Sequence, residues 1–226
     1  DCQADPQNLK NLADSEAHQK VLKRLRNAHR KHITQTVDLG FLPESEAWEM
    51  FAKQTGWELG QGGRVKMQPI QRAAAQVGTA DETALVKNLQ SKNASIRYWA
   101  ALGLAHHQEL RPETRQQLLK ALTDPSPAVR IEVANTLVRA GDPNPALRAL
   151  IKDLAHENLI IVTHAARTIE LLGPQAIVAK EPMAVALKRA ETIRPPDTPA
   201  TVLAICPLAS WLTPRSPIRL LAKARS

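Results

Sequence analysis

In the middle of the chain the pattern of apolar and polar positions repeats itself. Residues 94–104 (Ala-Ser-Ile-Arg-Tyr-Trp-Ala-Ala-Leu-Gly-Leu) lie in register over residues 127–137 (Pro-Ala-Val-Arg-Ile-Glu-Val-Ala-Asn-Thr-Leu), at an offset of 33. A third copy follows 32 residues later, with Ile161, Ala165, Ala166 and Ile169 beneath Val129, Val133, Ala134 and Leu137. The segments before each copy also superpose, since Leu89, Leu122 and Leu154 share a column. Apolar residues recur at i, i+3, i+4 and i+7, the spacing of a one-faced helix. Each unit therefore predicts two helices. The first run over Glu82–Leu89, Pro112–Leu122 and Pro145–Leu154, the second over Ser95–Leu104, Ala128–Val138 and Leu159–Leu172. No single unit can bury its own stripe, so the units must stack. A period in the low thirties built this way is that of a helical solenoid.

Side-chain size and turn chemistry agree with stacking. Ala100, Ala101 and Ala134 allow close helix approach, and Leu104, Leu137 and Ile169 are expected to form one column of the core. The links hold Asp124-Pro125-Ser126-Pro127 and Gly141-Asp142-Pro143-Asn144-Pro145, with Gly173-Pro174 as a stop. The unit resembles the HEAT and PBS-lyase-type repeats, whose second helix opens on a Val-Arg pair after an Asp-containing turn. Ile96-Arg97 and Val129-Arg130 fit that pattern, and Asp124 sits at the turn. The third copy has Val162 in the arginine column, which weakens any continuous Asp–Arg ladder.

Residues 1–60 read differently. A turn-rich entry, Asp5 to Ala13, leads to a helix capped by Asp14 or Ser15, with Glu16 in its first turn. Val21, Leu22, Leu25, Ala28 and Ile33 give that helix a core stripe, and Lys20, Lys23, Arg24, Arg26, Arg30 and Lys31 decorate the remainder. Leu42-Pro43-Glu44 then starts a short helix through Met50. Asp5-Pro6, Asn11-Leu12-Ala13, His18, Val21-Leu22, Leu25-Arg26, Thr36, Asp38-Leu39-Gly40 and Leu42-Pro43-Glu44 occur in an order similar to the end of a type I sulfatase of the N-sulfoglucosamine sulfohydrolase-like group. Asn8 stands where that family has Glu. The likeness covers about 45 residues from Asp1. It implies that the chain is the C-terminal piece of a larger protein, with an N-terminal sulfatase catalytic domain as its partner and an exported or periplasmic location.

The resemblance carries no catalysis onto this chain. The sulfatase nucleophile is a formylglycine made from a Cys/Ser-x-Pro-x-Arg motif, beside a divalent metal held by Asp and Asn. Cys2-Gln3-Ala4 and Cys206-Pro207-Leu208 both fail that motif. No catalytic, metal-binding or cofactor-binding residue is expected, and the chain alone should hydrolyse no sulfate ester.

Charge adds direction. The net charge is +8, but residues 1–60 hold eight Lys and Arg against nine Asp and Glu, and 61–175 hold fourteen against ten. Residues 176–226 hold eight against three, so the basic excess is heaviest in the tail. A nucleic-acid-binding solenoid would concentrate it along one face of the repeats, with aromatic residues in the groove; aromatics are only 3% of the chain. This argues against nucleic acid and against the alternative of a protein resembling the HEAT-like alkylpurine DNA glycosylases. A third alternative, a free-standing HEAT-repeat scaffold, predicts that residues 1–60 pack as an ordinary first repeat.

The remaining candidates are ordinary packing groups. His18, His29 and His32 approach one face but lack a Cys or acidic partner at ligand spacing, so a solvated helix face is the expectation. His106-His107 ends a helix, where an imidazole can bond the last carbonyls. Gly60-Gln61-Gly62-Gly63-Arg64 follows no strand and reads as a flexible junction, Trp48 and Trp57 read as core or subdomain-packing residues with sugar stacking as the alternative, and Trp99 reads as core, with a cation–π contact from Arg97 as a further option. Prolines 195, 196, 199, 207, 214 and 217 bar a long helix from the tail, whose apolar run 200–212 is too short to span a bilayer and suits either a cap on the last repeat or a non-native extension.

The sequence thus predicts an all-α chain: a sulfatase-tail-like helical segment over 1–60, about three HEAT-like repeats over 64–175, and a Pro-rich basic tail over 176–226. Its expected role is binding and support. Candidate contacts to a partner protein or a sulfated polysaccharide are Arg97, Arg130, Arg215, Arg219, Lys223 and Arg225.

Overall fold

The computed structural model describes residues 2–107 and 109–192, and all regular structure among them is helical. Three helix pairs form the repeats: α5 (Glu82–Leu89) with α6 (Ala94–Leu104), α7 (Pro112–Ala121) with α8 (Pro127–Arg139), and α9 (Pro143–Leu154) with α10 (Leu159–Leu172). These bounds follow the periodicity to within two residues. Before them come α1 (Gln19–Thr36), α2 (Glu44–Phe51), α3 (Gly56–Gln61) and α4 (Met67–Ala74), and after them α11 (Lys180–Thr192).

Each second helix is started by the same local device. Asn93 Oδ1 accepts from the Ser95 and Ile96 amides, Ser126 Oγ from Val129 and Asn158 Oδ1 from Ile160. These side chains satisfy amides that have no partner within the helix. Two residues earlier, Ser91, Asp124 and His156 form another column. Each accepts a backbone N–H two residues on, from Asn93, Ser126 and Asn158. The turns are therefore chemically alike although their residues differ.

Packing then joins the units. Helices α4, α6, α8 and α10 stand side by side in one row, and the outer helices α5, α7 and α9 back onto it. Leu104, Leu137 and Ile169 are all fully buried, as expected of one core column. Ala100, Ala101 and Ala134 are buried between neighbouring helices. Across that close approach Thr136 Oγ1 donates to the Ala101 carbonyl at 3.1 Å and also contacts its own Glu132 carbonyl.

Arginines tie one turn to the next. Arg97 donates to Ser91 O of its own turn and forks onto Asp124 of the following one, both bonds at 2.7 Å. Arg130 donates to Asp124 O and Pro125 O and reaches Asp153 at 2.6 Å. In the third unit Val162 occupies the column, and the ladder continues by other means. Arg189, from α11, donates to the carbonyls of Leu154, Ala155 and His156. α11 thereby closes the last described turn, with Met183, Ala186 and Ala190 buried.

The N-terminal region departs from its sequence reading in four respects. A 3-10 turn (Glu16–His18) precedes α1, and Ser15 bonds His18 Nδ1 instead of capping an amide. Of the α1 stripe only Ile33 is buried, whereas Val21 and Leu25 are 43% and 57% exposed. Trp48 and Trp57, expected in a core, are exposed. α1 touches the body mainly through α4, by Ile33 and by Gln71, which contacts Thr34 Oγ1 and donates to the Arg30 carbonyl. Gly60 and Gln61, read as part of a flexible junction, belong instead to α3, whose Thr55–Glu58 capping box fixes its start.

Candidate functional site

A solenoid usually presents its inner row of helices to a partner, because stacking curves that row into a concave surface. Here residues 39–51 of the same chain lie on it. Leu42 and Ala47 are buried with Met67 and Ile70, and the cluster includes Phe41, Ile96 and Trp99. Trp99 is half-buried and donates its Nε1–H to the Phe41 carbonyl at 2.9 Å, which locks the 3-10 turn Leu39–Phe41 onto α6. α2 then crosses α8 and α10.

Where α2 begins, a cavity of about 240 Å³ remains between it and the row. It is lined by Glu44 and Ser45 of α2, Tyr98 of α6, and Ile160, Thr163, His164 and Arg167 of α10. Helical periodicity puts Tyr98, Glu132 and His164 on neighbouring helices at the same level. Tyr98 meets the His164 ring edge-on, with centroids 6.4 Å apart, and also the Trp99 ring at 5.5 Å. His164 Nε2 lies 2.8 Å from Glu132 Oε1, whose side chain is only 8% exposed. Asn135 donates more weakly to the other oxygen, at 3.4 Å. Ser45 Oγ is buried without a hydrogen-bond partner.

Burial pushes the Tyr98 phenol above its ordinary value, and the Glu132 and Glu44 carboxylates push it the same way. The sign of the pH effect follows. Above the ordinary value of 10.0 the unfolded chain loses this proton before the folded one does, so folding stability falls as pH rises. The loss per pH unit is at most about 1.4 kcal/mol, the linkage limit for one proton. Urea midpoints measured from about pH 9 to 11 are expected to fall less steeply for Tyr98→Phe than for the parent chain. Parallel profiles would mean that neither burial nor these carboxylates raise the phenol in the folded chain.

The arginines expected from the sequence to contact a partner sit elsewhere. Arg97 and Arg130 stand at the starts of α6 and α8 and point back to the turns, with side chains 12% and 18% exposed, each engaged by an aspartate. Arg97 makes no use of the Trp99 face; its guanidinium is spent on Asp124 and Ser91 O. Arg215, Arg219, Lys223 and Arg225, with the proposed tail cap, lie outside the described residues. His106 Nδ1 is 3.0 Å from the Leu102 carbonyl, the helix-end contact anticipated for it. His29 lines a groove with Arg26 and Arg30 beside α4, and among the described residues no three His, Cys, Asp or Glu gather as a metal site. No described helix is long and apolar enough to cross a membrane.

Sequence reading missed the Tyr98–Glu132–His164 group. A signal did exist: three polar or amphipathic residues at spacings of 34 and 32, in columns adjoining the apolar ones. What gave no signal is that α2 would come to lie over them. No curated protein matches the chain. Residues 82–173 match the family model of HEAT repeats, and the stretch so matched is the three helix pairs described above: the solenoid is of the HEAT type.

Proposed function

We propose that this chain is the non-catalytic helical-repeat part of a sulfatase-like protein, and that it binds and supports a second protein domain through α1. The observation that carries the reading is the unpartnered apolar face of α1. Every repeat helix buries its stripe, yet Val21, Leu25 and Ala28, at i, i+4 and i+7 on one face, are exposed. Solitary surface leucines need no explanation, but an ordered stripe along an 18-residue helix suits a protein partner. The residues that resemble a sulfatase end support the same reading. Asp5 and Asn11 fold the entry turn by accepting from the Lys10 and Ala13 amides, and Asp38 accepts from Gly40. They shape the approach to and exit from α1 and do no chemistry.

A sulfated polysaccharide is the second reading, favoured by the other face of the same helix. Lys20, Lys23, Arg24, Arg26, Arg30 and Lys31 stand on α1 with no acidic residue among them. Such an arc attracts polyanions in a salt-dependent way.

The coding sequence upstream of Asp1 is expected to contain, in frame within several hundred codons, a Cys/Ser-x-Pro-x-Arg motif. The domain so encoded, coexpressed as a separate chain, should copurify with this one. Leu25→Asp should abolish copurification while shifting stability by no more than about 0.5 kcal/mol, as for other exposed positions. An upstream stop codon and start with no such motif would remove the sulfatase reading. Undiminished copurification of Leu25→Asp would remove the α1 interface.

A further inference from the structure

We propose that the cavity between α2, α6 and α10 binds an organic cation, an aliphatic ammonium or guanidinium of the size carried by a lysine or arginine side chain. Size is the first argument. At about 240 Å³ the cavity is smaller than the ~300–1,000 Å³ typical of sites for drug-sized ligands, and fits a single side chain.

Charge is the second. Glu132 is buried, and its carboxylate oxygens meet the imidazole of His164 and the amide of Asn135. Glu44 stands at the mouth, at the first turn of α2. The one permanent cation on the lining, Arg167, is held by Glu170 at 2.6 Å. Glu44 on the lining, Glu132 behind His164 and Glu170 against Arg167 place three carboxylates about the cavity, against the guanidinium of Arg167 and the imidazole of His164. The Glu132 and Glu44 carboxylates, which add to burial in raising the Tyr98 phenol, would also attract a cation.

Shape and hydrogen bonding complete the site. Ile160 and the Tyr98 ring offer an apolar wall for an alkyl stem, and an aromatic face attracts a cation laid against it. Ser45 Oγ is the independent sign of a missing ligand. It is buried, lines the cavity, and has no partner, a condition that folded proteins seldom leave uncorrected. An ammonium or guanidinium N–H directed into the cavity would satisfy it. No residue of α1 lines the cavity, so this inference does not depend on the docking of a domain there.

Tyr98 is the chain's single tyrosine, so ¹³C-tyrosine labelling places one NMR reporter in the site. Titrating the full chain with N-acetyl-lysine-methylamide is expected to shift the Tyr98 ring resonances saturably. The norleucine analogue, which has a comparable stem without the charge, should bind roughly tenfold more weakly or worse, the loss expected on removing a charge-assisted hydrogen bond. Glu44→Gln should weaken the lysine derivative similarly while leaving the urea midpoint in place, because Glu44 is exposed. n-Butylammonium is the arm that separates sources: binding as tight as the lysine derivative assigns a free amine, weaker binding a polypeptide side chain, and either upholds cation recognition. Equal binding of the norleucine analogue, preference for N-acetyl-aspartate-methylamide, or an unmoved Tyr98 signal with every probe would overturn it. The probe comparisons use the parent protein, so they stand even if Glu44→Gln folds poorly.

Discussion

Replacing Arg97 with methionine is expected to lower stability by ~3–5 kcal/mol, the cost of leaving one member of a buried ion pair without its partner. The pair is a true fork. Both nitrogens sit 2.7 Å from the two carboxylate oxygens of Asp124, and the side chains are 12% and 8% exposed. Methionine retains the stem's packing but leaves Asp124 charged in a site with little water. Asp124 cannot turn away, since its Oδ1 also accepts the Ser126 amide that begins the next turn. The same change removes the bond to Ser91 O, so the first and second units lose their tie at both ends. Arg111→Met supplies the control. Arg111 pairs with Glu82 at 3.4 Å but is 54% exposed, and an exposed pair contributes about 0–1 kcal/mol. Adding Asp124→Asn to Arg97→Met should recover part of the loss, because the carboxamide oxygen still accepts from Ser126 and carries no charge. Urea unfolding of the three variants, with the m-value checked for constancy, measures the difference. An Arg97→Met cost no larger than that of Arg111→Met would show that the arginine ladder is not what couples the units.

Much of this architecture was legible in the sequence because the solenoid is built from local rules repeated. Helix spans, the Leu104–Leu137–Ile169 column and the turn residues are all consequences of spacing within about 33 residues. The break at Val162 was legible too, but its repair was not. Arg189 reaches the third turn from 33–35 residues downstream, outside the repeat, and no periodicity points to it. The α1 stripe failed differently. Val21, Leu25 and Ala28 form a correct amphipathic pattern, yet a pattern specifies only that a face is apolar, not what covers it. The position of residues 39–51 was illegible for a third reason. Their hold on the inner row rests on a few particular contacts, such as Trp99 Nε1 to the Phe41 carbonyl, across 58 residues of chain. The cavity exists only because of that placement. Its side chains could be named from the sequence, but not brought together.

Leu137→Ala is expected to cost ~2–5 kcal/mol, the range for truncating a buried leucine, and to lie toward its upper end. The range is wide because the cost depends on how far the surroundings collapse into the space vacated. Here they have little freedom to do so. Leu137 is fully buried in the middle unit, and its neighbours in the core, Leu104 before and Ile169 behind, are fully buried as well. Collapse would require α8 to move toward α6 or α10. Thr136, one residue away, fastens α8 to α6 through the Ala101 carbonyl, and Arg130 on the same helix fastens its start to Asp153. A cavity therefore persists and its lining loses dispersion contacts on every side. A central position adds a second effect. Solenoid stability is a sum of unit and neighbour terms, so weakening the middle unit weakens both of its interfaces. Ile169→Val, which removes one methylene from the third unit, should cost only ~0.5–1.5 kcal/mol. Urea midpoints of the two variants measure the contrast. A Leu137→Ala midpoint no lower than that of Ile169→Val would mean that α8 can slide into the gap, and that the turn contacts at Arg130 and Thr136 do not hold it.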